Sequence, residues 1–225
     1  MKRVISILLM MIPLMVFGQK DVTTFLGIPV DGKKANFIQC LKKKGFVLDY
    51  HSDNGTLYGK FNGNDVVVYI QTNNDKVCRI IVSDKNETRN ETDIKIRFNK
   101  LIHQFQNNDK YAEYPLPNEE ISEDTDLSYE ISVKNKRFQA EFYQRALEVD
   151  SVDSEKLSDI QKRIEEAQST KKTTAALEIF GELDSFYRKY LKNKLVWFMI
   201  NENYGRYSIS IFYENGYNMA NGEDL

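Results

Sequence analysis

Apolar positions along this chain fall into two rhythms, one of about 3.6 residues and one of two, and these mark helices and strands. Phe37, Ile38 and Leu41 give a helix over 33–44, opened by Asp31-Gly32 and ended by Gly45 after three lysines that suit the negative end of a helix dipole. Strand-like segments follow at 46–50, 57–61, 66–71 and 77–83, separated by Asp53-Asn54-Gly55, Asn62-Gly63 and Asn73-Asn74-Asp75. Asn62-Gly63 is the strongest hairpin signal among them. Ile94, Phe98, Leu101, Ile102 and Phe105 form the apolar stripe of a helix over 91–106, with Ile96 and His103 on the far side. Residues 109–126, with Pro115, Pro117 and a run of acids from Glu119 to Asp126, read as a polar connection.

The second half begins with a predicted hairpin, 128–134 against 137–145, turning at Asn135-Lys136. Two helices follow, over 154–168 and 174–192, and form a helical hairpin. Strands over 195–201 and 207–213 close the chain, joined through Asn203-Tyr204-Gly205. In the last strand Tyr207, Ile209, Ile211 and Tyr213 share one face, which the alternation assigns to the core. The fold class expected is α+β, with antiparallel sheets and helices packed on one face. The expected organisation is a leader, 1–18; an N-terminal α+β module, 19–108; the connection, 109–126; and a C-terminal α+β module, 127–225.

The leader changes the reading of composition. Lys2 and Arg3 precede an apolar run from Val4 to Phe17, with Val16 and Gly18 small enough for a cleavage site. At about 14 residues the run is short of the roughly 20 needed to span a bilayer. This predicts a secretory signal peptide, no stable membrane anchor after its cleavage, and a periplasmic or secreted bacterial protein. Removing two of 31 basic residues leaves 29 against 33 acidic ones, a net charge of −4. That balance argues against a nucleic-acid partner.

Chemistry-bearing motifs are sparse. The two histidines, His51 and His103, come with no third ligand motif, so no metal and no cofactor is expected. No HExxH, GxSxG, Walker loop or GxGxxG occurs, so no catalytic residue is assigned. Cys40 and Cys78 are the only cysteines; export permits a disulfide between them, and two buried thiols are the alternative. Asn86 and Asn90 begin glycosylation sequons. Aromatic residues crowd the last forty positions, and Tyr187, Tyr190, Trp197, Tyr204 and Tyr217 are the candidate binding residues, because Tyr and Trp join contact area to a polar tip. The other account of that aromatic crowding is core packing.

The segment Phe25-Leu26-Gly27-Ile28-Pro29-Val30-Asp31-Gly32 with its following helix, and the tail Asn221-Gly222-Glu223-Asp224-Leu225, resemble small exported proteins of the Bacteroides group. The resemblance implies export and carries no functional residue. In outline, the helix and four-strand block is also similar to periplasmic modules of the beta-lactamase-inhibitor and outer-membrane assembly-factor type, a likeness of topology alone. The function expected is that of an exported, non-enzymatic binding protein with a protein or glycan partner. A carboxylate-based hydrolase of cell-wall or glycan polymers, and an inhibitor of an exported enzyme, are the competing readings.

Overall fold

The computed structural model describes residues 21–51, 55–113, 117–145 and 191–220, with residues 155, 158–160, 162–163, 179, 181–182 and 185. The expected leader therefore lies outside the described residues, as does most of the predicted helical hairpin; residues 155, 158–160, 162–163, 179, 181–182, 185 and 191 are helical.

A small hairpin comes first, β1 (Thr24–Phe25) and β2 (Ile28–Pro29). Helix α1 (Lys34–Lys43) follows, then β3 (Val47–Leu48), β4 (Leu57–Phe61), β5 (Asn64–Asn73) and β6 (Lys76–Asp84). Helix α2 (Glu91–Gln106) leads to β7 (Tyr111–Ala112), the short helix α3 (Leu127–Ser132), β8 (Gln139–Gln144), β9 (Leu195–Asn203) and β10 (Arg206–Glu214). Among the described residues eight strands form one antiparallel sheet in the order β3-β4-β5-β6-β10-β9-β8-β7. Its centre is the pairing of β6 with β10, Ile81 opposite Phe212 and Val82 opposite Ile211. The expected modules on either side of 109–126 thus meet in one sheet and one core. Each alone would leave a long apolar strand, β6 or β10, with an open edge.

Alternation sets the faces. Val66, Val68, Ile80, Val82, Phe142, Val196, Phe198, Ile209 and Ile211 point to the side that also buries Phe37 and Leu41 of α1 and Ile94, Phe98, Leu101, Ile102 and Phe105 of α2. All five residues of the predicted α2 stripe are buried there, and Ile96 is exposed. Tyr207 and Tyr213 are buried too, as their face requires. Phe25 of the first hairpin is fully buried and sets its ring 4.9 Å from Tyr213 and 5.3 Å from Phe61, closing one end of the core.

The expected strand over 128–134 is not formed: Leu127–Ser132 is helical. Asp126 caps it by accepting the Tyr129 N–H at 2.9 Å, and Glu91 accepts the N–H groups of Leu127 and Ser128 at 2.9 and 3.1 Å. A carboxylate 36 residues upstream in sequence therefore satisfies orphan donors of this helix start. Asn90, read as a sequon residue, accepts the Thr92 N–H at 2.9 Å and so caps α2.

The acidic connection is pinned rather than loose. Three side-chain amides each stand in for a backbone partner, donating to a carbonyl and accepting from the N–H of the same residue. Asn99 does this with Ile121 at 2.8 and 2.8 Å. Asn118 does it with Glu141 at 2.9 and 2.8 Å, and Gln144 with Thr24 at 2.7 and 2.7 Å. The buried Lys95 ammonium adds bonds to the Glu123 and Thr125 carbonyls. Glu119, Glu120, Glu123 and Asp124 remain exposed outside this scaffold. Asn118→Ala is expected to cost about 2 kcal/mol, since two half-buried backbone groups lose their partner. Hydrogen exchange at the Glu141 amide reads this directly. An exchange rate equal to the parent's would contradict the clamp.

Candidate functional site

A cleft opens between α2 and the β4–β5 turn on the core side of the sheet. Its floor is Ile211 and Tyr213 of β10, and one wall is Leu101, Gln104 and Phe105 of α2. Phe61 and Asn62, at the β4–β5 turn, make the opposite wall, and Tyr111 of β7 closes the inner end. The volume is about 360 Å³. Asn62-Gly63 is the two-residue turn the sequence predicts, with φ of 49° and 80°, a backbone that Asn and Gly tolerate well. That turn aims the Asn62 side chain across the mouth, where it donates to Gln104 Oε1 at 2.6 Å.

The chemistry of the lining is uniform. Phe61, Leu101, Phe105 and Ile211 are apolar, Asn62, Gln104 and Asn108 are neutral amides, and the remaining groups are two phenols. Burial pushes the Tyr213 hydroxyl well above its ordinary value, reinforced by Tyr111 beside it. Burial also raises Tyr111, against hydrogen bonds from Gln144 and Tyr213 that favour its ionised form. Both phenols therefore stay neutral at physiological pH. The Tyr111 oxygen accepts from Gln144 Nε2 at 3.3 Å and bonds to Tyr213, and Gln144 is itself fixed by Thr24, so the polar end of the cleft is preorganised. Phe105 packs against Tyr111 with ring centroids 4.6 Å apart.

The residues chosen from sequence lie elsewhere. Trp197 is on the sheet face opposite α1 and α2, stacked on Phe212 at 3.9 Å and 7°. Its indole N–H donates to Glu214 at 2.8 Å. Tyr204 sits at the tip of the β9–β10 hairpin with φ of 51° and 96% exposure. Tyr217 is half-exposed in the 3-10 turn Gly216–Asn218 that follows β10. Tyr204 and Tyr217 flank opposite ends of β10, about 30 Å apart at roughly 3.3 Å per residue, so these three do not converge. Tyr187 and Tyr190 lie outside the described residues.

Cys40 and Cys78 are free and half-buried. Burial raises the Cys78 thiol, which disfavours the thiolate a nucleophile needs. His51 lies 3.6 Å from Asp49, and His103 lies 3.3 Å from Glu120. Among the described residues no three His, Cys, Asp or Glu side chains converge as metal ligands would. The buried carboxylates are committed to partners: Asp84 to Arg97 and the Ile209 N–H, and Glu214 to Arg79 and Trp197.

Phe105 and the Asn62-Gly63 turn are legible in the sequence, but the cleft they share with Tyr111 and Tyr213 is not. Tyr213, on the core face of the last strand, is a further signal. No protein family, curated protein or solved structure matches this chain.

Proposed function

We propose that the chain is an exported, non-enzymatic binding protein, and that its ligand is a small neutral molecule with an apolar body and one hydrogen-bond acceptor. The observation that carries this reading is the uncharged cleft between the β4–β5 turn and α2. Its volume of about 360 Å³ falls in the range of small-molecule sites. In a chain with 28% charged residues, a lining of nine uncharged ones selects by chemistry as well as by shape, because a charged ligand would lose hydration there without a counter-charge. The body of the ligand packs on Phe105, Ile211 and Phe61, and its acceptor meets the Tyr111 hydroxyl. The amides of Asn62 and Gln104 close over the mouth.

Export rests on the leader's charged start, apolar run and small-residue end. Among the described residues no helix is long and apolar enough to cross a membrane.

Titration with p-cresol and cyclohexanone, followed by amide chemical shifts, tests the reading. Shifts are expected at Asn62, Gln104, Phe105, Tyr111 and Ile211, and the anionic analogue p-hydroxybenzoate is expected to bind at least tenfold more weakly. Affinity for the neutral probes is expected to stay flat from pH 5 to 9, since no lining group titrates in that window. Gln104→Trp places an indole over the mouth from an exposed position and is expected to lower affinity about tenfold, which is about 1.4 kcal/mol. Equal binding of the anionic probe, or shifts confined to other parts of the sheet, would overturn the assignment.

A further inference from the structure

A second surface, at the far end of the sheet from β7, has different chemistry. Strand β3 is two residues long and pairs only with Leu57 and Tyr58, whereas β4 continues to Phe61. Beyond Tyr58, β4 has no strand beside its outer edge among the described residues. The register fixes which backbone groups lie open there. Phe61 faces Asn64 directly at the two-residue turn, so it exchanges hydrogen bonds with β5. By alternation Gly59 does the same, and Lys60 turns its N–H and C=O outward.

A groove of about 420 Å³ occupies this position. Lys44, Lys60 and Lys85 surround it, with Tyr58, Phe46 and a single carboxylate, Asp65. Lys60 is paired with Asp65 at 3.1 Å. Lys85 lies over the Tyr58 ring at 5.2 Å. Neither Lys44 nor Lys85 has a carboxylate partner among the described residues. Three ammonium groups thus meet one carboxylate here, in a chain whose net charge is −2.

We propose that this edge accepts an extended acidic segment of a partner polypeptide as an added strand, paired through the Lys60 backbone and held by Lys44 and Lys85. Polypeptide backbone complements an outward donor and acceptor on one residue, and a free anion does not. A second copy of this chain fits poorly, because antiparallel pairing of two β4 edges would bring like-charged lysines together. The proposal is independent of the cleft, which lies between the β4–β5 turn and α2 and shares no lining residue with the groove.

The test uses the full chain and three blocked hexapeptides: Thr-Glu-Val-Glu-Val-Thr, the same peptide with Gln for Glu, and the acidic peptide N-methylated at its central residues. The acidic peptide is expected to shift the Tyr58 and Lys60 amides, and to lose at least fivefold in affinity between 50 and 300 mM salt. Lys44→Glu with Lys85→Glu, both at exposed positions, is expected to weaken it at least tenfold, whereas Gln104→Trp leaves it unchanged. Equal binding of the Gln peptide would overturn the charge selection. Equal binding of the N-methylated peptide would reduce the groove to an anion site and overturn strand addition. Failure of the acidic peptide to bind, or sedimentation showing self-association through this edge, would also overturn the proposal.

Discussion

Glu214→Ala is expected to destabilise the protein by about 3 kcal/mol, although the residue lies outside both proposed binding surfaces. The carboxylate is 2% exposed and accepts from Arg79 Nε on both oxygens, at 2.8 and 2.9 Å, and from Trp197 Nε1 at 2.8 Å. Its removal strands the Trp197 indole N–H and leaves the Arg79 guanidinium with only the long bond to Gln71 Oε1 at 3.5 Å. Arg79 is about a third exposed, so part of its hydration returns, which places the effect at the lower end for a broken buried pair. The Arg79 guanidinium also lies 5.8 Å from the Phe212 ring, on which Trp197 stacks, so the loss spreads to the aromatic pair. Urea unfolding measures the change. Pairing Glu214→Leu with Arg79→Met is expected to recover much of it, because neither charge is then left alone. A loss below about 1 kcal/mol for Glu214→Ala would show that the cluster is not holding β6, β9 and β10 together.

Phe198→Ala is expected to cost about 4 kcal/mol. Phe198 is fully buried on β9, with Phe98 edge-on at 5.1 Å and Phe105 and Phe142 roughly parallel at 5.5 and 6.1 Å. The residue joins the second-half strands to α2, and its truncation opens a cavity lined by rings that cannot collapse without leaving their own contacts. Phe105 is also a wall of the cleft, so the same substitution is expected to weaken probe binding there. Thermal or urea unfolding yielding less than about 2 kcal/mol would mean that the rings repack freely.

Local patterning made much of this architecture legible. The 16-residue stripe of α2 and the alternation of β10 are written within single elements, and both appear as read. What escaped depends on contacts between distant residues. Leu127, Tyr129, Ile131 and Val133 alternate like a strand, yet the segment is helical, its first N–H groups taken by the Glu91 carboxylate and the Asp126 cap. Residues 109–126 are polar in composition, yet Asn99 and Lys95 of α2 fasten the segment, and its own Asn118 ties it to Glu141 of β8. The order of strands was equally hidden, because β6 and β10 are more than 100 residues apart in sequence and nothing local names them as neighbours. The cleft inherits this: Phe61, Phe105, Tyr111 and Tyr213 become a site only when that pairing forms. The tyrosines selected from sequence shared a crowded segment of chain, which is not the same as a shared surface.

Isotope-filtered contacts between bound p-cresol and the protein's aromatic protons test the cleft most directly. Contacts are expected from the probe methyl group to the Phe105 and Tyr213 rings, with Tyr111 nearest the phenol oxygen. Contacts confined to Trp197, Phe212 or Tyr204, with the Phe105 and Tyr213 rings silent, would contradict this placement.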